Sequence, residues 1–346
     1  MSEGFKDEAA DPSGEPGGPV DGEAGIELVE GPTHEPARVT PGMLARALLR
    51  DPITLAALVV LTVIVVAAII WPLVWPYDHT SQALRMRNMP PLTPGQEPGD
   101  FPHILGTDPL GRDLVARLLS AARISLSVGF LGVIVSGAIG TAAGIVAGYY
   151  RGRVEDLIMR LVDLQMSIPF LLFALVALFL FGSGFTNVII VLALVRWPLY
   201  ARVSRSMAIS LREMDYVESA RSIGGGNFWI LRQHILPNLL SPLVVLGTLE
   251  VARLILAEST LSFLGVGVQP PDSSWGLMIS QGRDALRSAP WNVYLPGIFI
   301  FLSALSANLL ATWLRAVTDP AQRWDWLLKR KKLGVGVAAD ASQTGQ

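Results

Sequence analysis

Long apolar runs separated by short charged segments dominate this chain of 346 residues. A helix of about 20 apolar residues crosses a hydrocarbon core of about 30 Å. The run 164–195 has no charged residue, and the break at Gly182, Ser183 and Gly184 divides it into two spans. The pattern predicts an all-α integral membrane protein with six transmembrane helices, over residues 52–75, 124–150, 164–181, from 185 onward, 239–264 and 292–314.

The flanks of these spans predict their orientation. Arg46 and Arg50 precede the first span, whereas Trp71, Trp75 and Tyr77 crowd its far end. Cations mark cytosolic ends and aromatic residues mark interfaces, so both termini are expected in the cytosol. We predict a first transmembrane segment over 43–76, an extracytoplasmic segment over 77–123 and a transmembrane core over 124–325.

The two ends of the chain are expected to be disordered cytosolic tails. Residues 1–42 carry ten acidic and two basic side chains with few aromatic residues, so they cannot bury enough apolar area to offset their ordering entropy. A solvated tail is the simpler interpretation, and a regulatory contact is the alternative. Residues 326–346 begin with a basic cluster that fits a topology determinant beside anionic lipid.

Composition narrows the class of protein. The chain is 51% hydrophobic and 16% charged, which is typical of a membrane protein. It has no cysteine, which excludes disulfides and thiolate metal sites. The net charge of −2 combines −8 on residues 1–42 with +6 on the rest, so the chain does not fit a nucleic-acid-binding protein.

Residues 215–238 lie between two apolar runs and are too polar to span lipid. We expect a pair of short helices at the membrane surface, because the glycine run 224–226 stops a first helical turn that contains Glu218. Asn227 is expected to cap the second helix, over 228–236, and Pro237 to mark its passage into a membrane helix.

The spacing of Glu218, Ala220, Gly224, Leu236 and Pro237 resembles the EAA loop of permeases from binding-protein-dependent ABC importers. Ser219 stands where that pattern has alanine, and His234 stands where isoleucine is frequent. Serine is small enough for the same groove, and the ending His-Ile-Leu-Pro resembles the oligopeptide/dipeptide branch. The alternative is an ordinary amphipathic loop.

Two further stretches resemble that branch. The first precedes the second span and comprises Gly106, Thr107, Asp108, Gly111, Arg112, Asp113, Arg123 and Ser125. The second follows the fifth span and comprises Glu258, Leu261, Ser262, Phe263, Leu264, Gly265, Gly267, Pro270, Pro271, Trp275, Gly276 and Met278. The glycines and prolines of the second stretch also suit a structural loop.

The resemblance implies a type I ABC importer permease over residues 43–325, in a bacterial or archaeal-type plasma membrane. Its expected partners are two ABC ATPase subunits, a second related permease, an extracytoplasmic solute-binding protein and a peptide substrate. It implies coupling to the ATPase through Glu218, Ser219, Ala220, Gly224, His234, Leu236 and Pro237. The chain has no phosphate loop, so we expect it to bind no cofactor and catalyse nothing, with ATP and Mg on partner subunits.

Charged residues inside the predicted spans are candidates for a second site. They are Arg196, Glu250, Arg253 and Glu258. Glu250 and Arg253 are three residues apart and can pair on one helical face, with Arg196 as a second partner. Charges in a membrane helix are expensive, so these residues form an interhelical ion pair or line a translocation path.

The extracytoplasmic segment offers a possible metal site in His103, Asp108 and Asp113. Carboxylates beside Arg112 and Arg117 more often form ion pairs and helix caps, so we favour that interpretation. Thr107 or Asp108 is expected to cap a short helix before the second span.

Other classes of protein stay open at this stage. An ion-driven secondary transporter or channel needs acidic relays or repeated spans, which the sequence does not show convincingly. A membrane scaffold needs no substrate path. Within the ABC interpretation the substrate could also be nickel, glutathione or an oligosaccharide, but no Met or His cluster suits nickel, which favours peptides.

Overall fold

The computed structural model describes residues 48–49, 51–97 and 99–318. The predicted tails over 1–42 and 326–346 lie outside these residues. The helices are α1 (Pro52–Val74), α2 (Leu114–Tyr150), α3 (Gly152–Met166), α4 (Phe170–Phe181), α5 (Phe185–Arg212), α6 (Asp215–Ser222), α7 (Asn227–Ile230), α8 (Leu236–Phe263), α9 (Trp275–Gly282) and α10 (Trp291–Thr318).

Five helices are long and apolar enough to cross a membrane, or six if the bent pair α3 and α4 is one span. In the described part of the chain, extended pairing is limited to two isolated bridges, so the predicted all-α membrane fold is confirmed. We call the end of the bundle that carries residues 215–238 the loop end, and the opposite end the far end.

Helix α2 is longer than predicted. It runs for 37 residues from Leu114, so the short helix expected before the second span is continuous with that span. Asp113 caps it by accepting a hydrogen bond from the backbone N–H of Ala116 at 2.8 Å. The prediction of a cap at Thr107 or Asp108 was wrong, because Asp108 instead binds two arginines.

The third span differs most from its prediction. We expected one helix over 164–181, but α3 ends at Met166 and α4 begins at Phe170, with a bend of 94° between them. Pro169 disfavours helical geometry in Ile168 before it, which accounts for the break. Helix α3 also begins earlier, at Gly152, in the charged segment that follows α2.

The predicted pair of short helices at the loop end is present, with two corrections. Gly224 has a φ of +90°, as the predicted turn requires, but Gly226 rather than Asn227 occupies the cap position of α7. Helix α7 passes through a π-helical turn, Leu231–Ile235, directly into α8. The π turn precedes Pro237, which has no N–H for an α-helical hydrogen bond.

Helices α2 and α5 pack so closely that their backbones are in contact. A Cβ atom on Gly140, Gly144 or Gly148 would lie 2.3, 2.3 or 2.6 Å from a backbone oxygen of α5. Only glycine permits this approach, as expected from small residues repeated along a membrane helix. The close packing of α2 extends to a second helix, since Gly129 and Gly132 meet side chains of α8.

Replacement of Gly140 by alanine should destabilise the protein, because the new methyl group would collide with the Trp197 carbonyl. Overpacking of this kind costs about 1–3 kcal/mol. Gly137→Ala is the matched control, since its Cβ would lie 3.6 Å from the Tyr200 ring. In detergent, we expect Gly140→Ala to unfold at a lower midpoint temperature than wild type. We expect Gly137→Ala to keep the wild-type midpoint. Equal midpoints would show that the α2–α5 contact is less tight than described.

Candidate functional site: the loop end and the intramembrane charges

Helix α6 presents polar residues to the outside of the loop end. Glu218 and Ser219 are exposed, and both belong to the predicted coupling set. Apolar side chains protrude beside them, since Ile223 is 82% and Phe228 is 76% exposed. An acidic group among exposed apolar side chains can be recognised by a protein groove that combines a cation with apolar walls.

The opposite face of α6 is packed into the bundle. Val217 and Ala220 are buried in a cluster with Tyr149 of α2 and with Ile230 and Ile235 beside the loop. The structure therefore places Ala220, a member of the predicted coupling set, against the protein's own core. Its carbonyl accepts a hydrogen bond from the Gly225 N–H at 3.0 Å, which closes the turn.

Helix α2 holds the second half of the loop through a side-chain contact. The Tyr149 hydroxyl donates to the Asn227 side-chain oxygen at 2.9 Å. Arg212, the last residue of α5, donates to the Tyr149 carbonyl at 2.8 Å. The ends of α2 and α5 thus fix the loop from both sides.

His234, Leu236 and Pro237 lie where the loop enters α8. The His234 ring is 4.8 Å from the Trp229 ring and 6.0 Å from the Tyr216 ring, measured between centroids. Within the described residues its Nε2 atom is buried without a hydrogen-bond partner. Leu236 is half-buried and Pro237 is exposed, and these three residues lie at the junction between loop and span.

The predicted intramembrane ion pairs are present. Arg253 Nη1 lies 2.5 Å from Glu250 Oε1, and Arg196 Nε lies 3.3 Å from Glu250 Oε2. The Glu250 side chain is fully buried, whereas those of Arg196 and Arg253 are 26% and 59% exposed. The Arg196 contact lacks hydrogen-bond geometry, so both of its atoms are unsatisfied among the described residues. Arg253 therefore forms the stronger contact.

Glu258 belongs to a separate site. It is fully buried, and its carboxylate accepts hydrogen bonds from Ser125 at 2.9 Å, Ser262 at 2.6 Å and Ser259 at 3.4 Å. Ser125 also accepts from the Trp275 N–H at 3.3 Å. Glu258 thereby joins α8 to α2 and α9, and its role in a path stays a prediction.

The polar residues at the far end form the ion pairs and cap that we favoured over a metal site. Asp108 contacts Arg112 at 2.6 Å and Arg117 at 2.5 Å, and Asp113 contacts His103 at 2.9 Å. Among the residues that the structure describes, no group of three or more His, Asp or Glu side chains could hold a metal ion. Asp108 thus pairs with two arginines, and Asp113 caps α2.

Sequence reasoning missed the partners that come from distant segments. Ser259 and Ser262 stand one and four positions after Glu258, a spacing that could have suggested the contact. Ser125 comes from 133 residues earlier, and Asn227 is 78 residues from Tyr149. No local signal identifies such pairs.

Comparison with protein families identifies the chain. Residues 140–324 match the family described as binding-protein-dependent transport system inner membrane component. The chain belongs to this family. Residues 41–91 match the N-terminal transmembrane domain of oligopeptide transport permease C. The protein is thus a multi-pass inner-membrane permease subunit of a binding-protein-dependent ABC importer.

Individual relatives support the same family. The permease is 41% identical over 278 residues to a Brucella abortus protein named as a peptide transport system permease, covering 80% of this chain and 91% of that protein. It is 37% identical over 292 residues to the di/tripeptide transport system permease DppC of Pseudomonas aeruginosa, covering 84% and 96%. An inward-facing structure of the methionine transporter MetNI matches 57% of this chain and 95% of its own, with 18% identity and a TM-score of 0.44.

Replacement of Glu250 by glutamine should strongly destabilise the permease, because it leaves two guanidinium groups without a carboxylate inside the span. Loss of one partner from a buried pair costs about 3–5 kcal/mol. Glu213→Gln is the matched control, since the Arg151–Glu213 contact at 2.6 Å has side chains that are 41% and 64% exposed. Exposed pairs contribute about 0–1 kcal/mol. Thermal unfolding of both variants in detergent tests this difference. An equal loss of stability in the two variants would contradict it.

Proposed function

We propose that this permease forms the translocation path for oligopeptides or dipeptides delivered by an extracytoplasmic solute-binding protein. ATP hydrolysis on partner subunits drives the transport, and residues 215–237 transmit it. The observation that carries the coupling part is the two-sided loop, in which α6 exposes Glu218 outward and buries Val217 and Ala220 inward. The names of the two relatives support the choice of peptides.

The exposed face of α6 fits a groove on an ATPase subunit. Glu218 pairs there with a cation, while Ser219 lies beside it and the protruding Ile223 and Phe228 fill apolar pockets. Ala220 and Gly224 act indirectly, since they shape the turn rather than face outward. His234, Leu236 and Pro237 join the loop to α8.

The loop acts as a lever because its buried face is joined to three spans. Val217, Ala220, Ile230 and Ile235 share one cluster with side chains of α2, α5 and α8. A displacement of α6 therefore moves the loop ends of these spans together. Closure of two ATPase subunits would pull two such loops inward and open the path outward, as in other alternating-access transitions.

The assembly contains two ATPase subunits that hold ATP and Mg, a second related permease and the binding protein. In this arrangement the loop end is cytosolic, together with both termini. Arg196 and Arg253 line the path near mid-membrane, since their side chains are partly exposed, and the buried Glu250 holds them from behind. The permease itself supplies contacts and motion but no chemical step.

ATP-dependent uptake of a mixed peptide library into proteoliposomes tests this proposal. The vesicles hold the permease with its copurified partners and binding protein. Wild type should accumulate peptides only with ATP, and Glu218→Arg should abolish that uptake because a cation would face a cation. Glu97→Arg is the control, since it reverses an exposed charge on the segment before α2.

Each other outcome assigns a different function. Uptake without ATP would favour an ion-driven transporter, and ATP hydrolysis without peptide uptake would point to nickel, glutathione or oligosaccharides. Equal uptake by Glu218→Arg and wild type, with both complexes intact, would overturn the role of the loop.

The shape of the loop gives a second prediction. Gly224→Ser forces a side chain into the left-handed region at φ +90°, whereas Gly226→Ser keeps a φ of −69° that serine adopts readily. A Cβ atom meets nothing within 4 Å at either position, so only backbone strain differs. We expect Gly224→Ser to lower the peptides transported per ATP hydrolysed, while Gly226→Ser matches wild type. Identical ratios in the two variants would show that the turn does not set coupling.

A further inference from the structure

The intramembrane ion cluster is not electrically balanced. Within the described residues, the contacts of Arg196 and Arg253 with acidic groups inside 4 Å both go to Glu250. Two guanidinium groups and one carboxylate leave one net positive charge. Such a charge in a membrane span is costly and is stabilised by an anion or a water-filled path.

The cluster lies near the middle of the membrane by two independent measures. Arg253 is ten residues before Phe263, the last residue of α8, which corresponds to about 15 Å of helix. Arg196 is eleven residues after Phe185, the first residue of α5, or about 17 Å. Both distances run from the far end and are about half of a 30 Å hydrocarbon core.

The Arg253 side chain lines a groove between α8 and α10. The groove has a volume of about 330 Å³, and its lining is otherwise aliphatic or aromatic except for Asn308. This volume is at the lower end of the range for small-molecule sites, about 300–1,000 Å³. It suits the end of a short peptide better than a long segment.

The chemistry of the groove selects a carboxylate next to an amide. Arg253 Nη1 donates a hydrogen bond to Glu250 Oε1. None of the other Arg253 nitrogens donates a hydrogen bond within the part of the chain described. A guanidinium binds a carboxylate through two parallel hydrogen bonds. The exposed Asn308 side chain supplies both a donor and an acceptor, which a peptide unit can match.

We propose that this groove binds the C-terminal carboxylate of the transported peptide, with Arg253 as the anion-binding residue and Asn308 bonded to the last peptide unit. Glu250 is a positioning residue, because it is fully buried and holds the Arg253 side chain at 2.5 Å. The inference rests on the proposed function and adds the part of the substrate that is recognised at mid-membrane.

The test compares uptake of one tripeptide with that of its C-terminal amide. Both are assayed with ATP in proteoliposomes that hold the assembled transporter, and the binding protein is the same throughout. Arg253→Gln should lower uptake of the free acid about tenfold more than uptake of the amide, since a charged hydrogen bond is lost only with the acid. The acid-to-amide ratio should therefore fall about tenfold.

Two further variants make the result specific. Arg283→Gln is the matched control, because this arginine is exposed and contacts only the exposed Asp284, at 3.4 Å, among the described residues. It should keep the wild-type ratio. Asn308→Asp keeps the size of the side chain and leaves Arg253 in place, but its carboxylate competes for the guanidinium. It should lower the ratio as Arg253→Gln does, and it serves as the test if Arg253→Gln does not assemble.

Other results would contradict either the carboxylate site in the groove or the proposed function itself. If assembled Arg253→Gln or Asn308→Asp transports acid and amide in the wild-type ratio, the groove does not bind the substrate carboxylate. Equal losses for both peptides, with poor assembly of both variants, would also overturn the inference and assign Arg253 to an acidic group of the second permease. Absence of ATP-dependent uptake in wild type would instead defeat the proposed function.

Discussion

The backbone contact between α2 and α5 positions both candidate sites. Gly140, Gly144 and Gly148 let the two helices touch through main-chain atoms, so neither can rotate or slide without a collision. Helix α5 carries Arg196 at mid-membrane and Arg212 at the loop end, and Tyr149 lies in the last turn of α2. The same packing that aligns Arg196 with Glu250 thus also brings Arg212 and Tyr149 together beneath the loop.

A second constraint comes from the low polarity around buried charges, both in the spans and at the far end. Each buried charge needs a partner inside the protein, and the described residues meet this need in two ways. Asp108 and Asp113 at the far end are bound by Arg112, Arg117 and His103. Glu258 is held by serines alone, which stabilise its carboxyl without adding a cation. Asp108 and Glu250 are each shared by two arginines, but of these described arginines Arg253 alone is largely exposed.

The sequence predicted features that depend on local chemistry. Spans follow from hydropathy, and the turn at Gly224 follows from its conformational freedom. One error, the undivided third span, has the local cause Pro169, whereas others depend on contacts with another part of the chain. Asp108 binds Arg117, and the helix begins only at Leu114, with Asp113 as its cap. Asn227 is bound by Tyr149, from another helix. The Glu250–Arg253 pair was predictable from spacing, but the groove beside Asn308 depends on how α8 meets α10.

The continuity of α7, the π turn and α8 connects the two sites more directly than packing does. Residues 227–263 form one span of 37 residues, so the loop and Glu250 share a single helical rod. Glu250 lies fourteen residues beyond Leu236, about 21 Å along the axis. Where the rod is regular it transmits rotation as well as translation, so a rotation that enters α8 would swing Arg253 relative to α10. The π turn at Leu231–Ile235 is the point at which this rod is least regular, and it lies between the exposed loop and the membrane charges. Its position suits a hinge that sets how much of the loop's motion reaches the charge cluster.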